Sequence, residues 1–138
     1  MLDNWADKIV ITLVNKTDVS ALDLRSETHV TAERLLREYN YRARFFEEDV
    51  IVDPPWLMML DLYIHRHTSN PVSVSSLCIA SRVPATTALR WIRTLMEYGY
   101  LERHPDPSDG RRVFAELSAD AIECMTAYLE AINAGVDE

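Results

Sequence analysis

Arg111 follows Gly110 and comes two residues after Asp109, in a stretch that reads as a turn: Pro105-Asp106-Pro107-Ser108-Asp109-Gly110-Arg111-Arg112. A guanidinium at a loop tip offers a planar fork of N–H donors, and a carboxylate two residues before it can orient that fork. Upstream, Thr86, Thr87, Arg90, Arg93, Thr94 and Glu97 recur so that a helix would carry them along one side. Hydroxyls and guanidiniums in such a row can donate to phosphate oxygens and base edges. Arginine pairs both acceptors of guanine, and threonine can touch a thymine methyl. A merely solvated face would more often carry lysine and glutamate than two threonines at its start. On this pattern the candidate nucleic-acid contacts of the helix are Thr86, Thr87, Arg90, Arg93 and Thr94; at the loop, Asp109 and Arg111 can equally form a surface pair, with Arg112 or Arg103 making any phosphate contact.

Other chemistries are poorly served. His65 and His67 are two apart on an expected helix, so their rings face different ways and cannot share a metal; His29 and His104 lie in unrelated segments. Ser73, Ser75 and Ser76 lack the glycine pattern of a nucleophile elbow, and three glycines in 138 residues leave no phosphate-cradling loop. Cys78 and Cys124 have no metal-ligand spacing and read as small core residues of a protein in a reducing compartment. The expectation is a protein that is not an enzyme and holds no cofactor and no metal.

The elements that must position these residues follow from local patterns. Between Ala85 and Tyr98 the set Ala85, Ala88, Leu89, Ile92, Leu95 and Met96 falls on one side at 100° per residue, opposite the threonines and arginines. Trp91 lies on the boundary, expected against a neighbouring helix. Gly99 stands where a helix end needs positive φ. Tyr100 to His104 then begins a strand, which the prolines at 105 and 107 should end, and Val113, Ala115 and Leu117 alternate with Arg112, Phe114 and Glu116 in a returning strand. Before the arginine-bearing helix, Ser73 can cap a shorter one with Val74, Leu77, Cys78 and Ser81 inward, and Val72 can add a minimal strand. Helix, tight turn, helix, hairpin is the resulting order.

That order and its residues resemble the MarR-type winged helix-turn-helix regulators. The resemblance rests on Leu95 to Arg103 (LMEYGYLER), Pro105 to Arg112 (PDPSDGRR) and Leu117-Ser118, roughly a third of the chain, with Asp109-x-Arg111 its most diagnostic element. It implies a sequence-specific regulator of double-stranded DNA, with the Ala85–Tyr98 helix in the major groove, Arg111 at the minor groove or backbone and oriented by Asp109, and Arg112 beside it in the wing. The chain departs from the family in having one helix of moderate length after the wing where two are usual; a homodimer is still expected, because one winged helix covers only a half-site and the two end helices carry apolar residues beyond the needs of a small core, and the resemblance leaves room for a phenolic or similar small-molecule effector.

Flanking helices complete the reading. One is expected over residues 31–48, capped by Thr31, with Ala32, Leu35, Leu36, Tyr39, Ala43 and Phe46 inward and Arg34, Arg37, Glu38, Arg42 and Arg44 on a solvated or dimer-forming side. A second runs from Pro54, capped by Asp53, to about His67, and a last one follows the cap Ser118, with Ala121, Ile122, Met125, Tyr128, Leu129 and Ile132 on its apolar side. The fold class is mainly α with a small β-hairpin wing (α+β). Residues 1–30 form an N-terminal arm or strand segment and 31–138 the winged helix-turn-helix domain, with the helix-turn-helix at 73–98 and the wing at 100–117.

Composition agrees with one domain: 48% of residues are hydrophobic and 9% aromatic, enough for a modest core. The longest apolar runs fall short of a membrane span, and no signal pattern opens the chain, so a cytoplasmic protein is expected. Net charge is −8 but unevenly spread. Residues 1–63 hold seven basic and twelve acidic side chains (−5), 64–112 seven and four (+3), and 113–138 none and six (−6). A cationic reading segment between acidic flanks still attracts phosphate while disfavouring non-specific binding. The acidity also fits an alternative, a winged helix that serves as a protein-interaction module without DNA.

Overall fold

The computed structural model describes residues 26–135, so the arm expected over residues 1–30 lies outside the described residues up to position 25. The first helix, α1, is Glu27–Arg42, starting four residues earlier than the sequence suggested. Its cap is Ser26, whose hydroxyl accepts from the His29 N–H, and Thr31 is instead buried inside the helix. The Thr31 hydroxyl lies 2.8 Å from both the Glu27 carbonyl and Asn133 Oδ1 of the last helix. The helix also ends early. Ala43 to Phe46 turn away from the core, and Phe46 is exposed rather than packed. A single further turn, α2 (Glu48–Ile51), follows.

Pro54 opens α3 (Pro54–Ile64), where its missing N–H costs nothing, although Asp53 makes no side-chain cap bond. This helix is the centre of the core: Leu57, Met58, Leu60, Leu62 and Tyr63 are all buried. Tyr63 brings its hydroxyl to a polar junction within that interior. It donates to Thr28 Oγ1 at 2.9 Å, which uses its only proton, so Thr126 Oγ1 at 2.7 Å must donate to it. Three helices that share no turn are thereby held in one relation. Arg66 closes the end of α3, donating to the Tyr63 carbonyl at 2.6 Å with its guanidinium 3.7 Å over the Tyr63 ring; its burial lowers its pKa.

The second half carries the expected order. β1 (Val72–Ser73) leads into α4 (Val74–Ala80), capped by Ser73 through the Ser76 N–H, and α5 (Ala85–Glu97) follows after a tight turn. Two strands come next, β2 (Leu101–Asp106) and β3 (Asp109–Leu117), and then α6 (Ala119–Asn133). The sheet is antiparallel in the order β1-β3-β2, with Val72 opposite Ala115 and Leu101 opposite Leu117.

Strand β2 runs through Pro105 and Asp106, against the expectation that the prolines would stop it. β2 is an edge strand, so a residue without an N–H need not break a ladder on both sides, and the register shifts between Pro105 and Asp106. Only Pro107 and Ser108 remain as the turn.

Candidate nucleic-acid interface

Helix α5 is held by Ala88, Ile92 and Leu95, which are buried, and by Trp91, half-buried against the same core. Its end is fixed by backbone bonds. The Tyr100 N–H reaches the Leu95 carbonyl and the Gly99 N–H the Met96 carbonyl, both at 2.9 Å, with Gly99 at φ +77°. The Ser118 hydroxyl donates to the Gly99 carbonyl at 2.7 Å while accepting from the Ala121 N–H, so one side chain joins the end of α5 to the start of α6.

The face of α5 turned to solvent is not quite the one expected. Thr86, Arg90 and Arg93 are exposed, whereas Thr87 and Thr94 are half-buried. Ala85, Leu89 and Met96, expected inward, are exposed, and Leu89 lies in the same row as Thr86, Arg90 and Arg93. The apolar side of α5 is narrower than the 100° clustering implied, because three side chains and Trp91 suffice to fill the space above α3. Arg90 and Arg93 form no ion pair among the described residues, so both guanidiniums keep their donors for an external acceptor.

In the wing Asp109 and Arg111 are in contact. Asp109 Oδ1 accepts from the Arg111 backbone N–H at 3.0 Å and from its Nε at 3.3 Å, while the Arg111 side chain is 92% exposed. A second carboxylate that the sequence did not single out supports its neighbour. Asp106 Oδ1 accepts from the Ser108 N–H and hydroxyl, each at 2.8 Å, and Asp106 Oδ2 lies 3.6 Å from Arg112 Nε. The two Ser108 bonds, with the Arg112 charge beside them, hold the Asp106 carboxyl below its ordinary range. Arg112 also lies 5.8 Å over the Phe114 ring. The motif signal for Asp106 was present, an Asp-x-Ser turn in which the carboxylate accepts from the N–H two residues on.

The wing root and the start of α4 meet. Ser73, Ser75, Asp109, Arg111, Arg112 and Val113 line a cleft of about 370 Å³, which joins two guanidiniums to serine hydroxyls at a helix start. The Asp109 carboxylate lines the same cleft, and the Ser73 hydroxyl already donates to Ser76 Oγ at 3.1 Å, so an anionic oxygen there would meet the guanidiniums and a like charge together.

Other titratable groups are engaged elsewhere. Glu102, His104 and Glu116 bring three metal-ligand atoms within 4.8 Å of one another on the wing, a grouping the sequence reading had not assembled because Glu116 arrives from the opposite strand. All three are exposed, and His104 Nε2 lies 2.7 Å from a Glu116 carboxylate oxygen on the opposite strand and 3.7 Å from one of Glu102 on its own strand. Cys78 is half-buried and its burial pushes the thiol up; Cys124, expected in the core, is exposed on α6. No described helix is long and apolar enough to cross a membrane.

Comparison with known proteins fits this geometry. Residues 56–121, from α3 to the start of α6, match the family described as winged helix DNA-binding domain. Over these 66 of 138 residues the chain is similar to that family, and its fold is a winged helix. No curated protein sequence matches it. Among solved structures, the S. aureus MepR–DNA complex is similar at 16% identity and a TM-score of 0.54, over 85% of each chain. S. aureus MepR bound to ethidium bromide is similar at 18% identity and a TM-score of 0.52, over 74% of this chain and 72% of that one. The Archaeoglobus fulgidus protein AF1382 is similar at 14% and 0.51, over 70% and 97%. At these identities the likeness is one of fold, and it extends the winged helix to the flanking helices.

Proposed function

We propose that the protein is a sequence-specific double-stranded DNA-binding transcriptional regulator. In this reading α5 enters the major groove, Arg90 and Arg93 contact base edges or phosphates, Thr86 and Leu89 flank them, and Arg111 reaches the minor groove or the backbone. Thr87 and Thr94, being half-buried, contribute through their edges, and Arg112 serves the cleft beside Ser73 and Ser75. The observation that carries the reading is the state of the arginines. Arg66 and Arg82 are consumed by internal contacts, while Arg90, Arg93 and Arg111 project from one helix and one hairpin tip of a domain similar to a DNA-binding family.

The protein acts as a homodimer in the cytoplasm, since one winged helix covers a half-site and paired readers would sit about one turn of DNA apart. A small-molecule effector belongs to the same reading. S. aureus MepR is known with ethidium bromide, and this chain has an open cleft of about 730 Å³ at the end of α1, lined in part by Arg37, Tyr41 and Phe45.

Fluorescence anisotropy on duplexes selected from a random pool tests the function. Tight binding that weakens steeply with salt supports it. A folded protein that binds no duplex at low salt would favour the winged helix as a protein-interaction module.

A further inference from the structure

The turn between α4 and α5 contains an unusual residue for its backbone: Arg82 has φ +64°, the left-handed region, which glycine would occupy without cost. Its side chain reaches away from that turn. Nη1 lies 2.8 Å from Glu48 Oε2, Nη2 donates to Asn40 Oδ1, and the guanidinium carbon sits 5.3 Å over the Tyr39 ring. Tyr39 in turn donates to the same Glu48 oxygen at 3.0 Å, and burial followed by that acceptor raises its pKa. Three partners, all on α1 and α2 and all more than thirty residues earlier in the chain, thus converge on one arginine of the helix-turn-helix. The turn itself is short, with the Arg82 N–H on the Ile79 carbonyl and the Ser81 hydroxyl on the Cys78 carbonyl, so a shift at Arg82 passes directly to the start of α5.

We infer that Arg82 is a positioning residue for DNA reading: its clamp on Glu48, Asn40 and Tyr39 fixes the angle at which α5 is presented, without itself touching phosphate. The bonds to Glu48 and Asn40 hold the fork toward α1 and α2, and the Glu48 carboxylate beside it offsets its charge. An aligned reading helix matters for base contacts far more than for phosphate attraction, because base-edge hydrogen bonds lose strength steeply with misalignment. The inference rests on the DNA-binding reading above and names which residues set its precision.

Arg82→Gly is the informative variant, since glycine accepts φ +64° and the turn should survive removal of the side chain. Arg82→Gly, Glu48→Ala and the double variant would be titrated with the duplex best bound by the wild type and with a scrambled duplex, each at two salt concentrations, alongside thermal melts. Each single variant is expected to bind the best duplex about tenfold more weakly, as when one charge-assisted hydrogen bond is removed. The double variant should be no worse than either single, because both remove the same clamp. Scrambled-duplex affinity and the salt dependence should be unchanged.

Weaker binding to both duplexes with a shallower salt dependence would make Arg82 a phosphate contact and overturn the inference. Lower melting temperatures with intact affinities would overturn it too, reducing the clamp to a structural contact, as would additive effects in the double variant. If the wild type binds no duplex, the DNA reading itself falls and takes this inference with it; if the wild type binds and the variants match it, only the inference falls.

Discussion

Arg90 and Arg111 do different work in the proposed complex, and single substitutions should separate them. Arg90 lies on the reading helix with no internal ion pair among the described residues. Arg90→Ala is therefore expected to cost about 1–3 kcal/mol on the best duplex and to relax preference at one position, read by repeating the duplex selection with the variant. Arg111 is steered by Asp109 at a hairpin tip. Arg111→Ala should weaken all duplexes alike and reduce the slope of log affinity against log salt by about 0.9, the amount expected when one phosphate is no longer neutralised. Asp106 adds a pH term. Its folded carboxyl titrates below the unfolded value, so its support of the Pro107-Ser108 turn is fully present above about pH 4 and is lost as the pH falls through the lower folded value. Amide exchange at Ser108 should accordingly stay slow, relative to the intrinsic rate, at pH 5 and 7. Asp106→Ala, which removes the acceptor, should speed it at both.

The elements rest on their ends as much as on their faces. At Gly99 a methyl group would meet nothing within 4 Å, so any penalty for Gly99→Ala comes from φ +77° alone. We expect about 1 kcal/mol lower stability by urea denaturation, with Gly99→Asn falling between the two. Ser118→Ala should cost about 1–2 kcal/mol, because the hydroxyl both caps α6 and bonds the Gly99 carbonyl. Such ends were the most legible part of the sequence: Gly99, Ser73 and Ser118 each announce one backbone requirement, and each meets it. The misreadings have physical reasons of another kind. Ser26 rather than Thr31 caps α1, since both precede acidic residues and only tertiary contact with Asn133 draws Thr31 inside. Pro105 is tolerated because β2 lies at a sheet edge, which no local pattern reveals. Leu89 and Met96 looked apolar enough for the core, but the room above α3 is filled by Ala88, Trp91, Ile92 and Leu95. Among the candidate residues, the exposed positions of Thr86, Arg90 and Arg93 and the Asp109–Arg111 contact follow from spacing, and the Asp106 turn had a local signal that was passed over, while the Arg82 clamp depends on partners that only the fold brings together.

At the scale of the molecule, a chain of net charge −8 is proposed to bind a polyanion, which requires its positive charge to be concentrated where the DNA lies. From α5 through the wing, residues 85–117 carry five arginines and five acidic side chains, so the attraction must come from the local placement of the exposed Arg90, Arg93 and Arg111 guanidiniums rather than from net charge, and the acidic α6 opposes loose attachment. Two such domains are needed for a site of useful length, so analytical ultracentrifugation without DNA should give twice the 15.9 kDa chain mass. A monomer at micromolar concentration would contradict the proposed half-site geometry. The measurement closest to the central claim is a comparison, at two salt concentrations, of wild type and Arg90→Ala on the best-bound duplex and on its scrambled counterpart. The account predicts that the wild type prefers the first duplex strongly, that both affinities fall with salt, and that Arg90→Ala erodes the preference far more than it erodes the salt dependence. Equal affinity of wild type for the two duplexes, or an Arg90→Ala protein indistinguishable from it, would contradict the assignment of α5 as the reading helix.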